Sequence, residues 1–218
     1  MPRQLRAEQT RATIITAAAD LFDRRGYEST SLSDIVEHAQ VTKGALYFHF
    51  AAKEDLAHAI LELQSRVSRQ MASEMDARGY SSLEALMRIT FGIARLSVED
   101  PIPRAGLRLA TGGVEVRPPL RHPFTEWLDL ASRKFLGAVK ESDLHSDTDI
   151  DAAAHSLVSS FVGTRVVGRS LEPVARQPRR LAEIWHLMIR GLVPVPRRAR
   201  YLTLVSHLEG EIRRCDVR

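Results

Sequence analysis

Residues 42–50 read Thr-Lys-Gly-Ala-Leu-Tyr-Phe-His-Phe and follow a Ser-Leu-Ser-Asp-Ile-Val segment at 31–36. Thr42 can cap a short helix, because its side-chain oxygen can accept a hydrogen bond from a backbone N–H in the first helical turn. Leu46 and Phe50 have the four-residue spacing that places two side chains on one helix face. This stretch therefore predicts a short helix held inward by Leu46 and Phe50.

A second short helix is predicted immediately before the first. Ser31 can cap it, and Asp34 stands three residues later, where a capping box requires an acceptor side chain. Gln40 and Val41 provide the tight turn between the two helices. Two short capped helices joined by such a turn form a helix-turn-helix, which is suited to reading DNA rather than to catalysis.

The DNA contacts are expected from the outward face of the second helix and from its flanks. Small residues at its start let the backbone approach a phosphate, and Lys43 adds a cation there. Phe48 is interpreted as a packing residue of the small domain. The predicted DNA-binding residues are Arg3, Arg6, Ser31, Thr42, Lys43, Gly44, Ala45, Tyr47, His49 and Lys53.

Net charge supports this prediction only in part. The chain has 218 residues, a formal charge of +4 and 27% charged residues, but residues 1–53 hold seven Lys and Arg against six Asp and Glu. The excess lies at 165–200, with nine Arg against two Glu. That cluster is compatible with a solvated surface, an interface or a nonspecific polyanion patch. Arg3 and Arg6 remain as an N-terminal arm that can reach phosphates.

The rest of the sequence predicts an all-α fold. Apolar residues recur at helical spacing, and no alternating runs with hairpin turns occur. A three-helix DNA-binding domain with its arm is expected at 1–53, and a larger helical ligand-binding and dimerisation domain at 54–218. A long helix at 53–78 links them. Ser81 and Glu84 predict a capping box for the helix that follows.

Two helices near the C-terminus, at 152–167 and 181–192, are candidates for pairing with a second copy. Their apolar residues exceed what one small domain is expected to hide, although an intramolecular core explains them equally well. The residues in question are Leu157, Phe161, Leu181, Ile184, Trp185 and Met188. One recognition helix reaches few base edges, so a homodimer reading a pseudo-palindrome is expected.

The residues quoted so far resemble the DNA-binding domain of the TetR family of transcriptional regulators, over about residues 6–61. A narrower resemblance, to the γ-butyrolactone autoregulator receptors of filamentous actinobacteria, rests on 4–11, 104–109 and 122–127. The TetR resemblance implies a homodimer with a four-helix interface, and the narrower resemblance implies a small lactone-type effector.

The effector residues depend on this resemblance, because helical periodicity cannot separate a cavity wall from a solid core. Trp127 resembles the pocket residue of those receptors, and its indole offers a flat apolar wall with one N–H donor. Gln64 on the linking helix is the next candidate. The apolar walls are predicted to be Leu86, Leu109, Leu130, Val158 and Phe161.

An enzyme is the competing class. Residues 163–170 approach the spacing of a phosphate-binding loop, but Arg169 stands where that loop requires Lys, and the preceding segment is helical. No histidines pair at three or four residues' spacing, and the single cysteine excludes a multi-cysteine metal site. No cofactor and no metal are expected. The absence of a long apolar run predicts a cytoplasmic protein, associated with the nucleoid when bound to its operator.

The sequence thus predicts a repressor that binds a double-stranded DNA operator as a homodimer and is released by a γ-butyrolactone-type or butenolide-type signal. The control of secondary metabolism or development is implied by the resemblance alone. The alternative is a TetR-type orphan repressor that responds to an antibiotic, to another small molecule or to no ligand.

Overall fold

The computed structural model describes residues 2–114, 122–171 and 176–215. Within these ranges every regular element is a helix, in the order α1 Pro2–Arg25, α2 Leu32–Ala39, α3 Lys43–His49, α4 Lys53–Ala77, α5 Ser82–Glu99, α6 Pro101–Thr111, α7 Pro123–Lys140, α8 Ile150–Leu171, α9 Gln177–Leu192 and α10 Val195–Cys215. The prediction of an all-α fold is confirmed. No helix in the described ranges combines the length and apolarity needed to cross a bilayer.

The chain divides into two compact units. The first comprises Met1–Val67 and Glu99–Pro123, and the second comprises Ser68–Val98 and Phe124–Arg218. This division differs from the expected boundary after residue 53, because α6 returns to pack against α1. Helix α4 is continuous and supplies residues to both units.

The first unit has a hydrophobic core that ties α1, α2, α3, the start of α4 and α6 together. Phe22, Ile35, Leu46 and Ile60 are fully buried in this core. Burial of side chains of this size contributes about 1.5–3 kcal/mol each. The helix-turn-helix is therefore held by the same core that holds α6.

Helix α6 also carries two arginines that fasten it to α1. Arg104 Nε lies 2.7 Å from Asp23 Oδ2, and Arg108 Nη1 donates to the carbonyl oxygen of Phe22 at 3.1 Å and to that of Asp23. These carbonyls belong to the last turn of α1, where few backbone N–H donors remain; the Phe22 carbonyl also accepts from the Gly26 N–H at 3.1 Å. Arg108 thus satisfies acceptors at a helix end.

The second unit is built from the end of α4, α5 and α7 to α10. Leu157, Phe161, Leu181 and Trp185 are buried inside this chain. Of the two explanations that the sequence leaves open, the intramolecular core therefore holds for these four residues. Among the described side chains of α8 and α9, the large apolar residues that are exposed are Val166, Val167, Leu171 and Leu187.

Two local expectations also differ from the structure. Ser81 Oγ lies 3.2 Å from the Tyr201 hydroxyl, and the Glu84 carboxylate pairs with Arg88 at 2.8 Å and Arg200 at 3.0 Å. These partners replace the predicted capping box. Helix α10 was not predicted, because Pro194 and Pro196 and a run of arginines obscure its periodicity.

Candidate DNA-binding surface and effector cavity

Helix α2 begins with the capping box that the sequence predicts. Ser31 Oγ accepts from the Asp34 N–H at 3.1 Å, and Asp34 Oδ2 accepts from the Ser31 N–H at 2.8 Å. Hydrogen bonds from the Ser31 hydroxyl and backbone, with a smaller contribution from Arg25, lower the pKa of the Asp34 carboxyl. Ser31 is exposed, but its hydroxyl is committed to the start of α2.

The turn between α2 and α3 depends on Gln40, which adopts the left-handed conformation at φ 54°. Its N–H donates to the carbonyl of Glu37 at 3.1 Å and ends α2. Thr42 Oγ1 then accepts from the Ala45 N–H at 3.1 Å and starts α3. A cap of this kind contributes about 1 kcal/mol, so local hydrogen bonds fix both ends of the turn.

Helix α3 presents most of the predicted contact residues to solvent. Leu46 and Phe50 are buried, while Thr42, Lys43 and Gly44 are exposed and Ala45 and His49 are half-buried. Tyr47 is 56% exposed. The structure thus brings together, on one small surface, a cation, a hydroxyl, a phenol and an imidazole.

The interpretation of Phe48 as a packing residue was wrong, because its side chain is 79% exposed. A residue two positions after an inward-facing one points roughly to the opposite side of a helix. Since Leu46 and Phe50 both face inward, Phe48 must face outward, where its ring meets the edge of the His49 ring at 4.9 Å between centroids. The positions of Leu46 and Phe50 in the sequence were therefore enough to predict that Phe48 is exposed.

Lys53 lies in the first turn of α4 and braces the domain. Its Nζ donates to the carbonyl oxygens of Tyr27 at 2.9 Å and Thr30 at 3.0 Å. It also lies 4.3 Å from the centre of the Tyr27 ring. Two of the three ammonium donors are therefore used inside the protein, which leaves little for the predicted phosphate contact.

The predicted N-terminal arm is helical, since α1 starts at Pro2. Arg6 is exposed on this helix, and the side chain of Arg3 lies outside the described residues. Arg11, one turn beyond Arg6, stacks its guanidinium over the Phe50 ring at 5.3 Å. A cation is thus held against the residue that closes α3.

A small apolar cavity of about 40 Å³ lies in the second unit. Five of the predicted effector residues line it, namely Leu86, Trp127, Leu130, Val158 and Phe161. The Phe161 ring meets the Trp127 ring edge-on at 6.0 Å between centroids. The cavity is therefore narrowed by two aromatic side chains in contact.

Trp127 is 8% exposed, and no acceptor for its buried indole N–H lies within hydrogen-bond distance among the residues that the structure describes. A buried donor without an acceptor costs about 1–3 kcal/mol. Trp127 thus lines the cavity and also carries one buried N–H donor that has no hydrogen-bond partner among the described residues.

Sequence reasoning missed five further lining residues: Ile89, Thr90, Ile93, Ala131 and Leu157. The first three follow Leu86 at the spacing of one helix face, so α5 periodicity could have identified them. Thr90 is the polar member, and its Oγ1 accepts from Trp185 Nε1 at 3.0 Å and donates to the Met87 carbonyl at 2.9 Å.

Gln64 and Leu109 do not line this cavity. Both belong to the first unit, where Leu109 lies in the core cluster and Gln64 is 4% exposed. A Cβ at Gly106 of α6 would lie 2.1 Å from Gln64 Oε1. Gln64 therefore fills a space that exists because residue 106 is glycine.

The structure gives no support to catalysis through the phosphate-loop spacing. Residues 163–170 lie inside α8, whereas a phosphate-binding loop needs a strand before it and a helix after it. Within the described ranges no group of three or more His, Cys, Asp and Glu side chains could hold a metal ion.

Comparison with known proteins identifies the family. Residues 14–60 match the bacterial regulatory proteins of the tetR family, and residues 80–194 match the tetracyclin repressor-like C-terminal domain. The chain is 35% identical over 192 residues to the A-factor receptor protein of Streptomyces griseus, covering 88% of this chain and 67% of that one.

Solved structures extend the similarity. A crystal structure of a gamma-butyrolactone receptor (ArpA-like protein) is 69% identical, with a TM-score of 0.87, covering 94% of this chain and 99% of that one. CprB from Streptomyces coelicolor, in complex with its biological operator sequence, is 70% identical, with a TM-score of 0.88, covering 94% and 98%. The chain belongs to the TetR family of bacterial regulatory proteins and is a DNA-binding transcriptional regulator.

Proposed function

We propose that this protein is a homodimeric repressor that binds a pseudo-palindromic operator and releases it when a γ-butyrolactone-type or butenolide-type molecule enters the cavity beside Trp127. We propose that the protein acts in the cytoplasm and is associated with the nucleoid when bound to its operator. We also propose that it needs no cofactor and is not an enzyme. The observation that carries the effector assignment is the buried Trp127 N–H, which has no acceptor among the described residues.

The DNA-binding part of the proposal rests on the surface of α3. Lys43 and Tyr47 are exposed beside Gly44, whose lack of a side chain lets the backbone approach a phosphate. An amide at the N-terminus of a helix also favours an anion. The similarity to CprB, which was solved with its operator, supports operator binding by this chain.

The dimer is proposed to form through α8 and α9. These two helices pack on each other within the second unit, and four of their apolar side chains are at least half exposed: Val166, Val167, Leu171 and Leu187. Exposed apolar side chains gathered on neighbouring helices are typical of interaction surfaces. A dimer would cover them and present two copies of α3 to two half-sites.

The cavity is too small for a lactone as it stands. A volume of about 40 Å³ accommodates about one or two water molecules, whereas ligand pockets have volumes of about 300–1,000 Å³. Effector binding therefore requires separation of the Trp127 and Phe161 rings. Ligand would select this open state, and α4, which is continuous with both units, would transmit the change.

The size of the required shift is modest. A coupling free energy of about 3 kcal/mol lowers operator affinity roughly a hundredfold, within the usual range of allosteric effects. A lactone carbonyl that accepts the Trp127 hydrogen bond, together with burial of an alkyl tail, can supply a difference of this size.

The small volume of the cavity also favours the second candidate, a repressor without a lactone effector. A gel-shift titration with DNA from the protein's own upstream region separates the two candidates. We expect Trp127→Phe to bind this DNA normally and to ignore lactones that release the wild type. Binding that no lactone releases would support the second candidate.

The same assay tests DNA recognition. Lys43→Ala and Tyr47→Ala should weaken the complex, whereas Lys140→Ala, at an exposed lysine of α7, should not. Equal binding by all three variants would contradict the assignment of α3.

A further inference from the structure

The second unit contains a larger groove, distinct from the cavity beside Trp127, with a volume of about 300 Å³. It lies between the C-terminal end of α4, one face of α5 and the end of α10. Its volume reaches the range of small-molecule sites without any rearrangement. We propose that this groove binds an aromatic monocarboxylate.

The floor of the groove is apolar. Ile89, Phe91, Leu208 and Ile212 are buried and line it, and Met71 lies against α5 because Gly92 has no side chain there. A Cβ at Gly92 would lie 3.0 Å from Met71 Cε. Thioether groups adapt their shape and make favourable contacts with aromatic rings, which suits a flat ring on this floor.

Charged side chains form the rim, and most of them are already paired. Glu211 Oε1 lies 3.1 Å from His207 Nε2, and Glu74 accepts a hydrogen bond from Gln70 at 2.9 Å. Arg88 is bound to Glu84 at 2.8 Å and stacks over the Tyr80 ring at 4.3 Å.

Two further charged groups on the rim, the guanidinium groups of Arg78 and Arg95, are not paired in this way. Both side chains are exposed at the groove, and neither makes an ion pair with any residue in the described ranges. Guanidinium groups bind carboxylates through charge-assisted hydrogen bonds. Two such groups above an apolar floor match a ligand with an aromatic body and one carboxylate.

Ile89 lines both the groove and the cavity beside Trp127. The two spaces therefore lie on either side of one residue of α5. The groove proposal is nevertheless independent of the lactone proposal, since it uses different polar groups and needs no opening of the cavity.

Isothermal titration calorimetry with 2-naphthoate tests the proposal, and 2-naphthylmethanol serves as the neutral probe of the same shape. The acid should bind about tenfold more tightly than the alcohol, because it alone pairs with the two guanidinium groups. Added salt should reduce this difference. Equal affinity for the two probes would overturn the proposal.

The site is located with variants. The double variant Arg78→Gln/Arg95→Gln should bind the acid no better than the alcohol, while Arg133→Gln, at an exposed arginine of α7 outside the groove, should bind like the wild type. Trp127→Phe should also leave naphthoate binding unchanged. Unaltered binding by the double variant, or loss of binding in Trp127→Phe, would refute the groove assignment.

Discussion

Gly106 of α6 lies directly against Gln64 of α4. A Cβ added at residue 106 would lie 2.1 Å from Gln64 Oε1, 2.7 Å from its Cδ and 3.2 Å from its Cβ. Gln64 is 4% exposed and has little room to withdraw. This contact joins α4 and α6 within the first unit, which also contains the helix-turn-helix. Its loss is therefore expected to affect the stability of that unit.

Gly106→Ala is therefore expected to lower the free energy of unfolding by about 1–3 kcal/mol through overpacking. The matched control is Gly210→Ala on α10, where nothing lies within 4 Å of an added Cβ. The control should be neutral or stabilising by up to about 1 kcal/mol, because alanine favours a helix over glycine. Chemical denaturation measures both, and equal stability of the two variants would contradict the close approach of the two helices.

Phe48→Ala is expected to weaken operator binding by about tenfold, similar to the low end of the cost of one mismatched base pair. Stability should not fall, because the side chain is 79% exposed. Leu46→Ala, two residues earlier on the buried face, should instead lower the free energy of unfolding by about 2–5 kcal/mol. Fluorescence anisotropy on labelled operator and thermal unfolding distinguish the two effects. Unchanged anisotropy for Phe48→Ala would remove this ring from the interface.

Lys53→Met is expected to destabilise the protein by about 1–3 kcal/mol, because the carbonyls of Tyr27 and Thr30 lose their shared donor. The dependence of operator affinity on salt should stay close to that of the wild type. Lys43→Met should reduce the salt slope by about one for each phosphate that Lys43 neutralises. A large change in the salt dependence of operator affinity in Lys53→Met would mean that Lys53 releases the Tyr27 and Thr30 carbonyls and binds a phosphate in the complex.

Phe161→Ala should widen the cavity beside Trp127, since the Phe161 ring packs edge-on against the indole. The variant should lose about 3–5 kcal/mol of stability and should respond to lactones with longer alkyl chains than those that release the wild type. Release assays with lactones of graded chain length measure this. An unchanged chain-length preference would exclude Phe161 from the effector site.

Tyr201 makes stability depend on alkaline pH. Burial, followed by its hydrogen bond with Asp143, raises the pKa of Tyr201 to about 12. The folded state therefore holds this proton more tightly than the unfolded state, whose tyrosine pKa is about 10. The stabilisation is complete below about pH 10 and is lost as the pH rises from about 10 to about 12.

Tyr201→Phe should remove this component of the pH dependence. Comparing the unfolding free energies of the variant and the wild type between about pH 8 and about pH 12 isolates it from other groups that titrate in that range. At about pH 8 the variant should be less stable by about 1 kcal/mol, because phenylalanine has no hydroxyl to bond with Ser81. A constant difference across the range would contradict the raised pKa.

The sequence by itself determined the features that depend on residues a few positions apart. The caps at Ser31 and Thr42 and the inward placement of Leu46 and Phe50 follow from spacing within one or two helical turns. The same spacing also implied that Phe48 faces solvent. The helix-turn-helix could therefore be predicted residue by residue, because its geometry is local.

The tertiary structure alone decided the features that join distant parts of the chain. Lys53 meets carbonyls 26 and 23 residues away, and Thr90 meets Trp185 across 95 residues. Likewise, Gly106 lets α6 approach Gln64 of α4 closely within the first unit. Helical periodicity gives the buried face of each helix but not the helix that packs against it. The packing of the whole unit was therefore needed to decide whether Lys53 binds carbonyls or a phosphate. It was also needed to decide whether an apolar residue lies in the core or in the cavity wall.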